Sequence, residues 1–173
     1  MEHKLLTRPD RNPKVAKGAA AGYWTAILHL APADLAGRGT VCPWSTAGCR
    51  AACLNLAGRG GIVKTGERSN AIQAARIRRT RHFFDNRADF LRVLDADIAR
   101  HVRASLRADF KPAVRLNGTS DIAWERVAPD MLRRWIAEGV TFYDYTKSRA
   151  RAIAARGPGW PAGYDLTFSW SGD

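Results

Sequence analysis

What this chain has little of narrows it first. Its 173 residues include three cysteines, two methionines and four histidines. A small, odd number of cysteines argues against a disulfide framework. No apolar run is long enough to cross a bilayer. The start, Met1-Glu2-His3-Lys4-Leu5-Leu6, lacks the apolar segment of a secretory signal. The expectation is a soluble cytoplasmic protein with no membrane partner. There is no phosphate loop and no dinucleotide fingerprint, and so few histidines support no Ser-His-Asp arrangement. Internal repeats and low-complexity tails are also missing. The length suits a single domain, residues 1–173, with a core of its own.

Acidic residues are in deficit, 16 against 28 Lys and Arg, which leaves a net charge of +12. Such a field favours polyanions, whether nucleic acid or an anionic small molecule. Abundant Ala, Arg and Gly also fit a GC-rich genome, which would produce the same charge without a partner.

The three cysteines are not scattered. All fall in Cys42-Pro43-Trp44-Ser45-Thr46-Ala47-Gly48-Cys49-Arg50-Ala51-Ala52-Cys53. Thiols gathered this closely commonly hold a metal or an iron–sulfur cluster. If Cys49 and Cys53 lie on one helix, their spacing of four puts them on one face. Cys42 then arrives from the preceding loop, with Pro43 and Gly48 shaping the turn and backbone N–H groups within reach of the sulfurs. Structural zinc wants four protein ligands, and His29, His82 and His101 offer no local pattern for the fourth. A 4Fe-4S cubane can be held by three cysteines, leaving one iron open. Zinc remains an alternative, and so do three buried thiols with no metal. The spacing, six residues and then three, matches neither the three-then-two pattern of radical S-adenosylmethionine enzymes nor the four-cysteine ferredoxin patterns.

Around this segment, residues 1–20 read as a basic irregular arm broken by Pro9 and Pro13. Tyr23 to Leu30 reads as a strand, and 42–61 as the cysteine segment. A helical pair follows. The first helix runs from about Glu67 to Phe84. The second begins near Arg87 with Asn86 as its N-cap. In that second helix Phe90, Leu91, Leu94, Ile98 and Val102 share a face, opposite Arg92, Arg100, Arg103 and Arg107. From 112 to 173 the order is strand, helix, strand, helix, strand: 112–117, 129–138, 140–145, 148–156 and 164–169. Pro129 suits a helix start and Gly139 a helix stop. This β-α-β-α-β order predicts an α/β fold with a small parallel sheet, partly like a TIM barrel.

In such folds ligands sit at the C-terminal ends of the strands. Those ends are polar here. Asn117, Asp121, Tyr145, Lys147, Ser169 and Ser171 are the candidates to line a pocket beside the thiols. Asp121 and Lys147 are candidates for catalytic work, as general base and as anion contact. Asn117, Tyr145, Ser169 and Ser171 are candidates for cofactor binding. Each has a plain alternative: Asp121 as an N-cap, Asn117 as a turn residue, Lys147 as a helix-solvating side chain. Trp44, between the cysteines, is placed to shield a cluster from water.

Several stretches together resemble the phage gene product 88-like family. They are Leu30-Ala31-Pro32, Cys42-Pro43, Gly48-Cys49, Cys53-Leu54 and Gly58-Arg59, then Arg115-Leu116-Asn117 with Asp121-Ile122, and Tyr143-Asp144-Tyr145-Thr146-Lys147. The resemblance covers most of the chain, from about Lys14. It implies a phage or mobile-element origin, and so the cytoplasm of an infected cell, more than it implies a reaction. It also implies members that continue past the equivalent of Asp173, so an open sheet is expected rather than a full barrel. The leading expectation is an iron–sulfur protein held by Cys42, Cys49 and Cys53. The alternative is a basic nucleic-acid-binding protein with a structural zinc or thiol knot.

Overall fold

A computed structural model describes residues 4–7, 16–57, 60–62 and 70–170 of the chain. Ser171, Gly58-Arg59 and the expected first turn from Glu67 lie outside the described residues.

Five strands form one sheet in chain order: β1 (Leu6–Thr7), β2 (Tyr23–Leu28), β3 (Lys111–Arg115), β4 (Thr141–Thr146) and β5 (Tyr164–Phe168). β1 runs antiparallel to β2, and the other three pairings are parallel. The mixed α/β class and the parallel β-α-β-α-β unit are as the sequence predicts. Barrel closure is not part of the arrangement, which is an open sheet with β1 and β5 at its edges.

Seven α-helices accompany the sheet among the described residues: α1 (Ala16–Ala20), α2 (Ala47–Ala51), α3 (Ala71–Asp85), α4 (Arg87–Arg107), α5 (Trp124–Val127), α6 (Pro129–Ala137) and α7 (Arg149–Ala154). None is long and apolar enough to cross a membrane. The helical pair is α3 and α4. Asn86 ends the first and caps the second, its side chain accepting from Asp89 N. α6 starts on Pro129, and Gly139 follows it at φ +86°, a conformation that side chains with a Cβ rarely adopt.

Alternation on the strands explains the core. Ala26, Leu28, Val114, Phe142 and Tyr164 point to one face and are buried there. Phe90, Leu94, Ile98 and Val102 of α4 belong to the same buried cluster. The expected apolar stripe of α4 is therefore its packed side, and Arg103 and Arg107 are exposed on its back. Each large side chain so buried contributes about 1.5–3 kcal/mol.

Two stretches differ from the expectation. Residues 1–20 contain β1 and α1 rather than only an irregular arm. Leu5 and Leu6 are buried, and the Asp97 carboxylate of α4 accepts from the backbone N–H of both. That anchor lies 92 and 91 positions away in the chain, so no local pattern announces it. The second difference is α2, which ends at Ala51. Cys53 is extended (φ −63°, ψ 133°) and caps a separate 3-10 turn, Leu54–Leu56. Cys49 and Cys53 therefore do not share one helix.

Candidate functional site at the strand ends

The loops that leave β2, β3 and β4 meet at the C-terminal rim of the sheet. Asp121 N donates to Val41 O (2.8 Å), Gly118 N to Leu28 O (3.0 Å) and Thr119 Oγ1 to Leu30 O (2.5 Å). The fit is tight at Gly118, where a Cβ would come within 2.6 Å of His29 Nδ1 and of Ile27 Cγ2. Lys147 N, at the end of β4, donates to Asp121 Oδ2 (2.8 Å). The cysteine segment lies across this rim.

Cys42 is half-buried. Its sulfur accepts from Ala33 N (3.3 Å) and its thiol faces Thr119 O (3.8 Å). Burial pushes the Cys42 thiol up to about 11, and Cys53, Asp121 and Cys49 push in the same direction through their charge. Cys49 and Cys53 thus both lie within electrostatic reach of Cys42. Cys53 Sγ accepts from Asn55 N (3.5 Å), so two of the three sulfurs receive a backbone N–H, as the sequence suggested. Among the described residues no group of three His, Cys, Asp or Glu side chains stands in metal-holding geometry.

Beneath Cys53 lies a feature the sequence reading did not single out. Arg76 of α3 is 8% exposed. Its Nη1 donates to Asn55 Oδ1 (2.6 Å) and Asn55 O (3.3 Å), and its Nε is buried without a hydrogen-bond partner. No carboxylate pairs with it among the described residues. Burial lowers its pKa, and the Cys53 thiol is the group that works against that shift. A buried cation with no anion is costly. Here the opposing group is a cysteine.

On the other side of the rim, Arg151 of α7 is buried between two carboxylates. Its Nη1 meets Asp121 Oδ1 (2.8 Å), and Nε and Nη2 meet the two oxygens of Glu125 (2.8 and 2.7 Å). The guanidinium also sits 5.0 Å from the Trp44 ring centroid. Trp44 therefore packs on a buried ion network and, with Glu125, Ser148 and Trp160, lines a cleft of about 290 Å³.

The candidate residues fall into two groups. Asp121 belongs with the thiols. It is 5% exposed, burial raises its pKa, and its oxygens accept from Thr146, Lys147 and Arg151. It is not an N-cap, since α5 starts after Ala123 with no side-chain cap. Asn117 lies nearby and is fully engaged. Its Nδ2 donates to Ile122 O and Asp144 Oδ2, and its Oδ1 accepts from Ser120, Ile122 N and Trp124 Nε1. The second group is Tyr145, Lys147 and Ser169. Lys147 Nζ donates to Ser169 Oγ (3.0 Å) and Trp170 O (3.2 Å), tying the ends of β4 and β5 together. Tyr145 stands on the sheet face opposite the core. Asp144 is a further residue not singled out from the sequence. It is wholly buried, with Asn117 N (2.7 Å) and Tyr164 OH (3.0 Å) donating to it.

The family model described as Gene product 88 matches residues 4–173. No curated protein and no solved structure matches the chain.

Proposed function

This chain belongs to the Gene product 88 family, and we propose that it is an iron–sulfur protein whose cluster is held by Cys42, Cys49 and Cys53. The observation that carries the reading is Arg76. A buried guanidinium with, among the described residues, an orphaned Nε and no carboxylate partner lies within electrostatic reach of Cys53 and is bonded to Asn55, two residues on. Three thiolates around a cluster would supply the missing negative charge. The donor set fits as well, because three cysteines suffice for a cubane.

The protein side of this chemistry follows from the same contacts. Cys42 gives up a proton when it ligates, because the free thiol is held neutral by burial. The N–H groups of Ala33 and Asn55 already point at sulfur and would raise the reduction potential. Trp44, half-buried on Arg151, would limit the access of water. Asp121, in electrostatic reach of Cys42, is the carboxylate positioned to exchange a proton at the site. With one iron free of protein ligands, the cluster would offer Lewis-acid binding of a substrate or one-electron transfer. Ligation calls for a closing movement of the segment from Ala47 to Cys53, whose α2 has no buried residue to hold it rigid.

Protein purified without oxygen should be brown, with a broad visible absorption and several irons per chain. Cys42→Ser should abolish both colour and iron. A colourless protein with one zinc per chain would replace the reading with a structural thiol knot. A colourless, metal-free protein would remove metal chemistry from these cysteines.

A further inference from the structure

The sheet has a second face, opposite the core, and part of it is open. Register places Ala113 beside Thr141 and Tyr145 beside Thr167, so Arg115, Tyr143, Tyr145 and Thr167 share that face. Near β2 the face is closed, with Thr25 and Ala113 buried. Towards β4 and β5 it is not. Tyr145 is 45% exposed on it, and Trp170, in the segment beyond the end of β5, is 75% exposed. Among the described residues the Arg115 guanidinium is the group that lies over the Tyr145 ring.

Two cations flank Tyr145 without a carboxylate of their own. The Arg115 guanidinium lies 5.0 Å from the Tyr145 ring centroid, makes no ion pair among the described residues, and has a buried Nε with no hydrogen-bond partner. Lys147 follows just past the end of β4, its Nζ spending two of three donors on the neutral oxygens of Ser169 and Trp170. Asp165 is the acid on this face, exposed at the β5 edge. An exposed aromatic on a parallel sheet face and a second just past its edge, bordered by cations that make no ion pair among the described residues in a chain of net charge +12, match what an unpaired strand of nucleic acid requires. Every base has a face that stacks on an aromatic ring, and every phosphate a charge that seeks Arg or Lys.

We propose that the open β4–β5 face is a binding site for single-stranded nucleic acid. Bases stack on Tyr145 and Trp170, and Arg115 and Lys147 hold the phosphates. This site is separate from the thiols and does not depend on the cluster.

The test is a fluorescence-anisotropy titration with labelled oligouridylate, oligothymidylate and a duplex of equal length, starting near about 50 mM salt. Either single strand should bind more tightly than the duplex, and the better of the two identifies RNA or DNA as the natural class. Tyr145→Ala should weaken binding about tenfold, while Tyr145→Phe, which keeps the ring, should bind like wild type. Arg115→Gln should weaken binding and reduce the salt slope by about 0.7. The Arg103→Gln, Arg107→Gln pair, on the far side of α4, should leave the single-strand affinity unchanged. Equal weakening by that pair would mean diffuse charge attraction and overturn the proposal. So would duplex binding as tight as single-strand binding, a Tyr145→Phe protein as weak as Tyr145→Ala, or no binding at low salt. Iron content is a separate readout, so this reading and the cluster reading fail independently.

Discussion

Replacing Arg151 with methionine is expected to cost about 3–5 kcal/mol of stability, because it leaves two buried carboxylates without their cation. For a chain of this size that is a fall in Tm of roughly 6–20 °C. Arg151 is 4% exposed and makes five of its bonds to groups drawn from three segments: Asp121, Ile122, Glu125 and Thr146. Most ion pairs of this protein are different. Arg133–Asp130 and Arg38–Asp85 are at least half exposed on both sides, and such pairs are commonly worth less than about 1 kcal/mol. Urea unfolding of Arg151→Met and of the triple variant Arg151→Met, Asp121→Asn, Glu125→Gln separates the causes. The triple variant should recover much of the loss, since it removes the stranded charges along with the cation. A single-variant loss under about 1 kcal/mol would mean that Arg151 behaves as a surface residue, against its burial.

The second large effect is a stability that declines as pH rises. Burial raises the Asp144 carboxyl to about 7, against the opposing pull of Asn117 N, Arg115, Tyr164 and Arg151. In the unfolded chain the same carboxyl ionises near the ordinary aspartate value of 3.8. Between those two values the folded state holds a proton that the unfolded state has released. Stability therefore falls as pH increases through this window and levels off above it. The cost of ionising Asp144 in place is on the order of 4 kcal/mol above pH ~7. His101 acts in the opposite sense. Burial lowers its pKa, so its contribution is lost on acidification below the ordinary histidine range. The comparison of wild type with Asp144→Asn isolates the carboxyl from that background. The variant should match wild type below about pH 4, where both states hold the proton, and exceed it by a few kcal/mol near pH 8. Parallel pH profiles for the two proteins would show that Asp144 is ionised at little cost.

How much of this was legible before the structure depends on how far each cause reaches along the chain. Asn86, Pro129 and Gly139 act within their own turns, so the bounds of α4 and α6 can be read from them. The apolar stripe of α4 is legible for the same reason, as a periodicity confined to one helix. The clustering of Cys42, Cys49 and Cys53 needs only counting. Cys53 leaving the helix does not, because it depends on where α2 gives out and on Asn55 N turning to meet the sulfur. Arg151 stands between Arg149 and Arg156 in an alanine-rich stretch and looks like one more solvated arginine. Its burial is caused by Asp121 and Glu125, 30 and 26 residues away. Asp144 lies between two tyrosines in what reads as an alternating strand. Its environment is made by Asn117 and Tyr164, both on other strands' flanks. Arg76 shows the same limit, since an arginine in a basic helix carries no mark of facing a thiol.

The order of strands in the sheet also bears on how the molecule comes together in time. β3, β4 and β5 are joined by short crossovers, from Arg115 to Thr141 and from Thr146 to Tyr164, while β2 reaches β3 only after the excursion from Leu28 to Lys111. The entropy of closing a loop rises with its length, and pairings across long separations form slowly. The C-terminal three strands are thus the expected nucleus, with β2 added to a finished edge. Pulsed hydrogen exchange during refolding should protect the Phe142 and Ser169 amides, which donate to Gly163 O and Thr146 O, before those of Ala26 and Leu28. The cysteine segment follows β2 in the chain and rests on loops from β3 and β4. It is therefore expected to find its place after the C-terminal strands have paired, and a metal taken up there would meet a scaffold already folded.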